Sequence, residues 1–267
     1  MAGLLAGFIA KAQKNGAAYT AFDLMKFFAI FNMTVDHIGA YFFPHALWIR
    51  AIGRITFPVW FFLVGYSRSL SIGRNLWIYA ALLLADHPFV GRAIFPLNAL
   101  VSIIFSRFAL NFFICRNLIP GKLPEILVAF VMLVLFTDPV FEYGTLACMF
   151  TIFGWMVREG KKEHFTAVLV TSYVAFVGWQ IISFQFNLFE SVYVVLGTAW
   201  VVRWLAHPQF TVIWPQWRDS VFKTSIAILS RNTLFYYFFH RMLFEIASNL
   251  AYGKSFGFVI KWFPGHH

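Results

Sequence analysis

Asp36 and His37 stand side by side in a run that is otherwise almost wholly apolar. An ionisable group in such a run needs a partner or a task, because a charge in hydrocarbon costs several kcal/mol on most scales. A histidine there can act as a general base near physiological pH. Neighbouring helical positions diverge by about 100°. Asp36 is therefore expected to pair with a cation on another helix rather than to orient His37. Asn32, four residues before Asp36, shares its face. Other polar residues are embedded in the same way. Arg54 lies three residues before Phe57-Pro58. A further run holds Asn98, Ser102, Ser106, Arg107 and Asn111, and a late run holds Arg231, Asn232, Tyr236, His240, Arg241 and Glu245. Arg241 and Glu245 are four apart and able to pair with each other.

Each has a plainer reading beside the chemical one. A single embedded histidine is ordinarily a hydrogen-bonded core residue, and this weighs more on His240 than on His37. Arg107 and Arg231 either snorkel or pair, or they touch a ligand. Phe-rich stripes read as lipid-facing or packing surface, and Asp86-His87-Pro88 as a helix end at the outer surface. Cys115 and Cys148 have neither metal-ligand spacing nor a CxxC pair, so no metal site and no cysteine nucleophile is expected.

The elements that position these groups follow from composition. Of 267 residues, 60% are hydrophobic and 12% charged, with 35 Phe. So few charges cannot cover a soluble core of that apolarity. Barrel strands would alternate over ~10 residues, whereas here the apolar runs are continuous and of bilayer-spanning length. The expectation is an all-α, polytopic membrane helix bundle of about nine transmembrane helices, at 22–43, 49–66, 75–90, 94–114, 124–137, 140–157, 165–185, 189–206 and 224–248. Residues 1–21 read as an interfacial or disordered lead-in. Its lysines, Lys11 and Lys14, follow the apolar stretch instead of preceding it, unlike a cleaved signal peptide. Residues 22–250 read as one transmembrane domain and 251–267 as a tail.

The net charge of +10 does not point to nucleic acid, because the basic residues punctuate the gaps between apolar runs. With the N-terminus inside, the inner segments hold 12 Lys and Arg and the outer segments 4. That is a positive-inside pattern, with the C-terminus outside. Depths follow: Asp36, His37, Arg54, Asn98 and His240 fall towards the outer side, and Arg107 and Arg231 towards the inner side. A polar outer chamber above a basic inner stretch is expected.

Two stretches together resemble a known family. They are Thr34-Val35-Asp36-His37-Ile38-Gly39 with Gly53-Arg54-Ile55-Thr56-Phe57-Pro58-Val59-Trp60-Phe61-Phe62, and Phe95-Pro96-Leu97-Asn98-Ala99-Leu100. They resemble the TraX family of F-type conjugative pilin acetylases over about residues 22–110. More distantly, the chain is similar to transmembrane acyltransferases of the glucosaminide acetyltransferase type. Its ending, Leu234-Phe235-Tyr236-Tyr237-Phe238-Phe239-His240, is similar to their Tyr-rich last helix. The resemblance implies a transmembrane acyltransferase-like domain in a bacterial inner membrane, multi-pass, that moves an acetyl group from acetyl-CoA to the N-terminal amine of pilin. His37 is then the expected base, and Arg54 or Asn98 the oxyanion donor. Asp36 either fixes Arg54 or holds the acceptor amine. The CoA phosphates suit Arg68, Arg74, Arg107 or Arg231, with His240, Asn32 and Tyr236 as further candidates. Two rivals stand beside this reading: an O- or N-acyltransferase for a sugar or envelope glycan, and a non-enzymatic transporter or pilus-assembly factor. The expected partners are pilin or another envelope acceptor and the lipid bilayer, not nucleic acid.

Overall fold

The computed structural model describes residues 21–119, 121–207, 221–253 and 261–262. The expected lead-in over 1–20 and most of the tail lie outside the described residues. The described chain is all-helical: α1 Ala21–Phe42, α2 Leu47–Arg54, α3 Phe57–Tyr66, α4 Arg74–Asp86, α5 Ala99–Cys115, α6 Leu123–Thr137, α7 Gly144–Glu159, α8 Phe165–Phe184, α9 Leu188–Ala206, α10 Val221–Arg231 and α11 Thr233–Ala251.

Two expected spans are broken. The run at 49–66 divides at Ile55-Thr56, where the Thr56 N–H bonds back to the Gly53 carbonyl, only three residues away. That tight turn ends α2, and Pro58 opens α3 in its first turn, where its missing N–H is not needed. The run at 224–248 divides at Asn232, whose side chain donates to the Ile228 carbonyl. The expected span at 140–157 starts later, at Gly144, because Tyr143 and Gly144 both take positive φ. The expected span at 94–114 also starts later, at Ala99, where Asn98 caps it.

Three segments are long and apolar enough to cross a bilayer: 47–66, counting α2 and α3 together, α8 and α9. Helices α5 and α6 are apolar but shorter. The helical bundle agrees with the expectation, but of the nine expected crossings only three segments among the described residues meet membrane length and apolarity. The reason is visible in α1, which has the length but carries Asp23, Lys26 and Asp36.

Helix α7 is the bundle's axis, with every residue from Gly144 to Met156 buried. It crosses α3 with almost no side chain between them. Gly65 lies against the Thr151 carbonyl and Gly154 against the Phe62 carbonyl, so a Cβ on either would overlap main chain. Small residues at a crossing let two backbones pack closely, as in membrane helix pairs. Facing outward, α6, α8 and α9 expose Phe136, Ile182, Leu188, Phe189 and Leu196. After α4, the His87 Nδ1–H donates to the Ala93 carbonyl. Beyond it, the Ile94 and Phe95 N–H groups donate to the carbonyls of Lys261 and Trp262, which ties the chain's end to the α4–α5 connection.

Candidate active site

The site begins where α1 and α2 touch. Gly53 stacks directly on the backbone and Cβ of Asp36, leaving no room for a side chain. This brings two guanidiniums to one carboxylate. Arg50 Nε lies 3.3 Å and Arg54 Nε 3.4 Å from Asp36 Oδ1, and Arg50 also donates to the Asp36 carbonyl at 3.0 Å. Arg54 is further held under the Phe184 ring, its guanidinium carbon 4.4 Å from the centroid. Such contacts are favourable for a desolvated cation. The sequence expectation that Asp36 pairs with a cation on another helix, and not with His37, agrees with this geometry.

His37 is held from the other side of α1. Its Nδ1 lies 2.7 Å from Nε2 of His240, with the two rings stacked 4.9 Å apart. His240 in turn directs Nδ1 to the Tyr236 carbonyl at 2.7 Å. A carbonyl only accepts, so His240 must carry its proton on Nδ1. With both rings neutral, His240 Nε2 is then an acceptor, and His37 donates to it from Nδ1. The free lone pair of His37 is left on Nε2. The tautomer of an imidazole is set by the bond its other nitrogen makes, and here a backbone carbonyl sets it through two rings.

Tyr143 completes this end. The Arg54 Nη1–H donates to its hydroxyl at 3.0 Å, which leaves the Tyr143 O–H free to donate onward. The residue sits at φ 76°, a left-handed conformation that costs a non-glycine residue about 1–3 kcal/mol. Phe57 packs on its ring at 4.4 Å and keeps it in place. Tyr237, anchored by Arg241 at 3.1 Å, and Glu142 stand nearby on the same wall.

All of this opens into one cavity of about 1090 Å³. His37, Asp36, Arg54, Tyr143 and Tyr237 line one end, and Lys26, Arg68, Arg107 and Arg158 line the other. Lys26 and His37 are eleven residues apart on α1, roughly 16 Å at the helical rise. The basic end is prepared by local bonds: Arg107 donates to the Ser71 carbonyl at 2.8 Å, and Arg158 to the Ser67 carbonyl and to Glu159 Oε1. Between the ends the wall is mostly α3, with Thr56, Phe57, Trp60, Phe61 and Val64.

The structure thus joins His37, Asp36, Arg54, Arg68 and Arg107 around one space. His240 stands behind His37, outside the lining. Asn98 is placed differently from the expectation that it faces the chamber. Its side-chain oxygen accepts from the N–H groups of Leu100 and Val101, and its amide donates to the Ala80 carbonyl. This is an N-cap that ties α5 to α4, and Asn98 is absent from the cavity wall. Arg74 and Arg231 also lie outside that wall. Asn32 bonds back to the Phe28 carbonyl, and the Tyr236 hydroxyl pairs with Thr34 at 2.9 Å. Arg241 and Glu245 take other partners: Glu142 lies 3.9 Å from Arg241, while Glu245 receives Arg92 and the Tyr41 hydroxyl. Sequence reasoning missed Tyr143, Lys26 and Arg158 as site residues. The signal for Tyr143 was the Glu142-Tyr143-Gly144 interruption that the expected span at 140–157 ran across.

Comparison with known proteins adds to the geometry. The family model described as "TraX protein" matches residues 21–244. A protein of Rickettsia prowazekii (strain Madrid E), named "Uncharacterized protein RP591", is 30% identical over 144 residues, which cover 53% of this chain and 57% of that protein. The chain therefore matches little more than half the length of that curated relative. No solved structure matches.

Proposed function

The chain belongs to the TraX family, and from that premise we propose that it is an inner-membrane acetyltransferase, with its N-terminus in the cytoplasm, that acts on the N-terminal amine of a conjugative pilin with acetyl-CoA as donor. The observation that carries the reading is the polarity of the cavity: four cations at one end, and an imidazole with its lone pair fixed on Nε2 at the other. An extended pantetheine arm of roughly thirteen bonds reaches about 16 Å at ordinary bond lengths, the axial separation of Lys26 and His37. Phosphates at the basic end would place the thioester beside His37.

The chemistry then uses the residues in hand. The acceptor nitrogen attacks the acetyl carbon, the new C–N bond forms and the C–S bond breaks. His37 Nε2 takes the proton from nitrogen and returns it to the departing thiolate. Charge developing on the carbonyl oxygen is met by the Tyr143 hydroxyl and the Arg54 guanidinium, donors that are held in place before the reaction. Asp36 and Arg50 hold Arg54 in place. Asn98 serves the fold of α4 and α5 rather than the reacting carbonyl.

The test has two parts. Purified protein should bind acetyl-CoA, and intact mass of candidate pilin should show an acetyl-sized increase only in cells that carry this gene. Binding without any mass change on pilin would move the acceptor to a sugar or glycan. No binding at all would overturn the enzymatic reading.

A further inference from the structure

One carboxylate at the reactive end of the cavity has no part in the mechanism above. Glu142 lines the cavity, and its side chain is 28% exposed. The other two carboxylates on the wall are engaged. Asp36 is clamped by Arg50 and Arg54, with its side chain 8% exposed, and Glu159 accepts from Arg158 at the basic end. The cation nearest to Glu142 is Arg241, whose Nη1 stands 3.9 Å from Oε2, the outer limit of an ion pair. That same Nη1 already donates to the Tyr237 hydroxyl at 3.1 Å. Among the described residues no hydrogen bond reaches the Glu142 carboxylate, although an ionised carboxylate offers about four accepting sites.

The main chain of Glu142 is, by contrast, fully used. Its N–H donates to the Leu97 carbonyl, and its carbonyl accepts from the buried Ser102 hydroxyl at 2.6 Å. These bonds fix the turn that also presents Tyr143. The Leu97 N–H bonds to the Val140 carbonyl as well, so the α6–α7 connection shares the face of the α4–α5 connection. Glu142 just precedes α7, and Arg158 of the basic end stands in the last turn of that helix, roughly 20 Å further along. Tyr237 links Glu142 to the base: its hydroxyl receives Arg241, and its ring lies 6.0 Å from that of His37.

We propose that Glu142 recognises the acceptor, receiving the N–H groups of a cationic primary amine that enters from the end opposite the CoA phosphates. This rests on the acetyltransferase reading and names the residue that selects an amine over a hydroxyl acceptor. A charge-assisted hydrogen bond to an ammonium is about twice as strong as a neutral one to a hydroxyl. The protons balance. The bound ammonium loses one proton to outer water, and Glu142 goes on accepting an N–H from the neutral amine. That amine attacks the thioester, and its second proton passes through His37 to the departing thiolate. The α-amine of a peptide suits this route, because it ionises near pH 8 and gives up the first proton readily.

The experiment titrates two ligands at pH 7 into the full chain in detergent, loaded with CoA so that no transfer occurs. One is a synthetic peptide of the first ten residues of candidate pilin, with a free α-amine. The other is the same peptide with a hydroxyl in place of that amine. The amine peptide should bind the wild type about 10- to 100-fold more tightly, the size of a hydrogen bond to a charged group. Glu142→Gln should abolish the preference by weakening the amine peptide alone, and Glu142→Asp should keep part of it. Both variants should bind CoA as the wild type does, which shows that the cavity is retained. Equal weakening of both peptides would make Glu142 a structural partner of Arg241. That result, a preference that survives Glu142→Gln, or a wild type without preference would each overturn the assignment and leave the acetyltransferase reading standing. Wild-type protein that fails to bind CoA would remove both.

Discussion

At the scale of single residues, the site divides into groups that an apolar context exposes and groups that it hides. Asp36, His37 and Arg54 were legible because an ionisable side chain in an apolar run carries a penalty that must be met. Tyr143 was not, because a tyrosine in such a run carries no comparable penalty and its left-handed backbone shows only in three dimensions. Asn98 was legible as polar and buried, but its helix-capping bonds compete with any catalytic role and take up its oxygen. The imidazole pair gives the sharpest residue-level prediction. His37→Gln should fold and bind acetyl-CoA normally, yet transfer should fall ~10²–10⁴-fold, the usual contribution of a positioned base. His240 acts through His37, so its variants should separate by what they offer to the Nδ1 proton. His240→Gln keeps an acceptor and should retain more turnover than His240→Leu at similar thermal stability. Equal activities for the two, with stability alone changed, would make His240 a packing residue. Single-turnover transfer and melting curves decide it.

At the scale of elements, the breaks and crossings matter more than the runs themselves. Apolar runs in the sequence located the helical segments to within a few residues. They did not reveal that α2 and α3 are separate, although Pro58 marks the place, because a hydrophobic run is blind to a two-residue turn. Nor did they distinguish glycines that hold helices together from glycines that do nothing. Replacing a glycine by alanine inside a helix ordinarily gains about 1 kcal/mol. Gly178, within α8 and with open space where a Cβ would go, should show that gain as a raised melting temperature. Gly154→Ala should do the opposite, since its Cβ would overlap the Phe62 carbonyl and overpacking costs about 1–3 kcal/mol. Gly53→Ala should both destabilise and inactivate, because it pushes Asp36 away from Arg50 and Arg54. If Gly154→Ala melted above the wild type, the close α3–α7 crossing would be wrong.

At the scale of the molecule, sidedness is the property to measure. From the twelve-to-four division of basic residues, the expectation is that the α7–α8 connection lies inside and the α4–α5 connection outside. The main-chain pairing of residues 94–95 with 261–262 requires the chain's end to share the side of the α4–α5 connection, whichever side that is. In a Cys115→Ala background, Lys161→Cys should react with a membrane-impermeant thiol reagent only after the cytoplasmic face is opened. Gly91→Cys should react in intact spheroplasts. Reaction of both from one side would reject the alternation of helices on which the inner and outer ends of the cavity are named.

A hollow of this size, in a chain proposed to sit in an energised bilayer, is also an electrical matter. Water and ions that filled it from the cytoplasm would bring bulk potential close to the far face, and most of the transmembrane voltage would then fall across whatever closes the deep end. What stands there is the Asp36 carboxylate clamped between Arg50 and Arg54, with an aromatic ring laid over the second guanidinium. On the proposed topology, the ion pairs that orient the site would stand where that voltage falls. Reaction at the foot of the cavity would take place within the steepest part of the membrane's electric field.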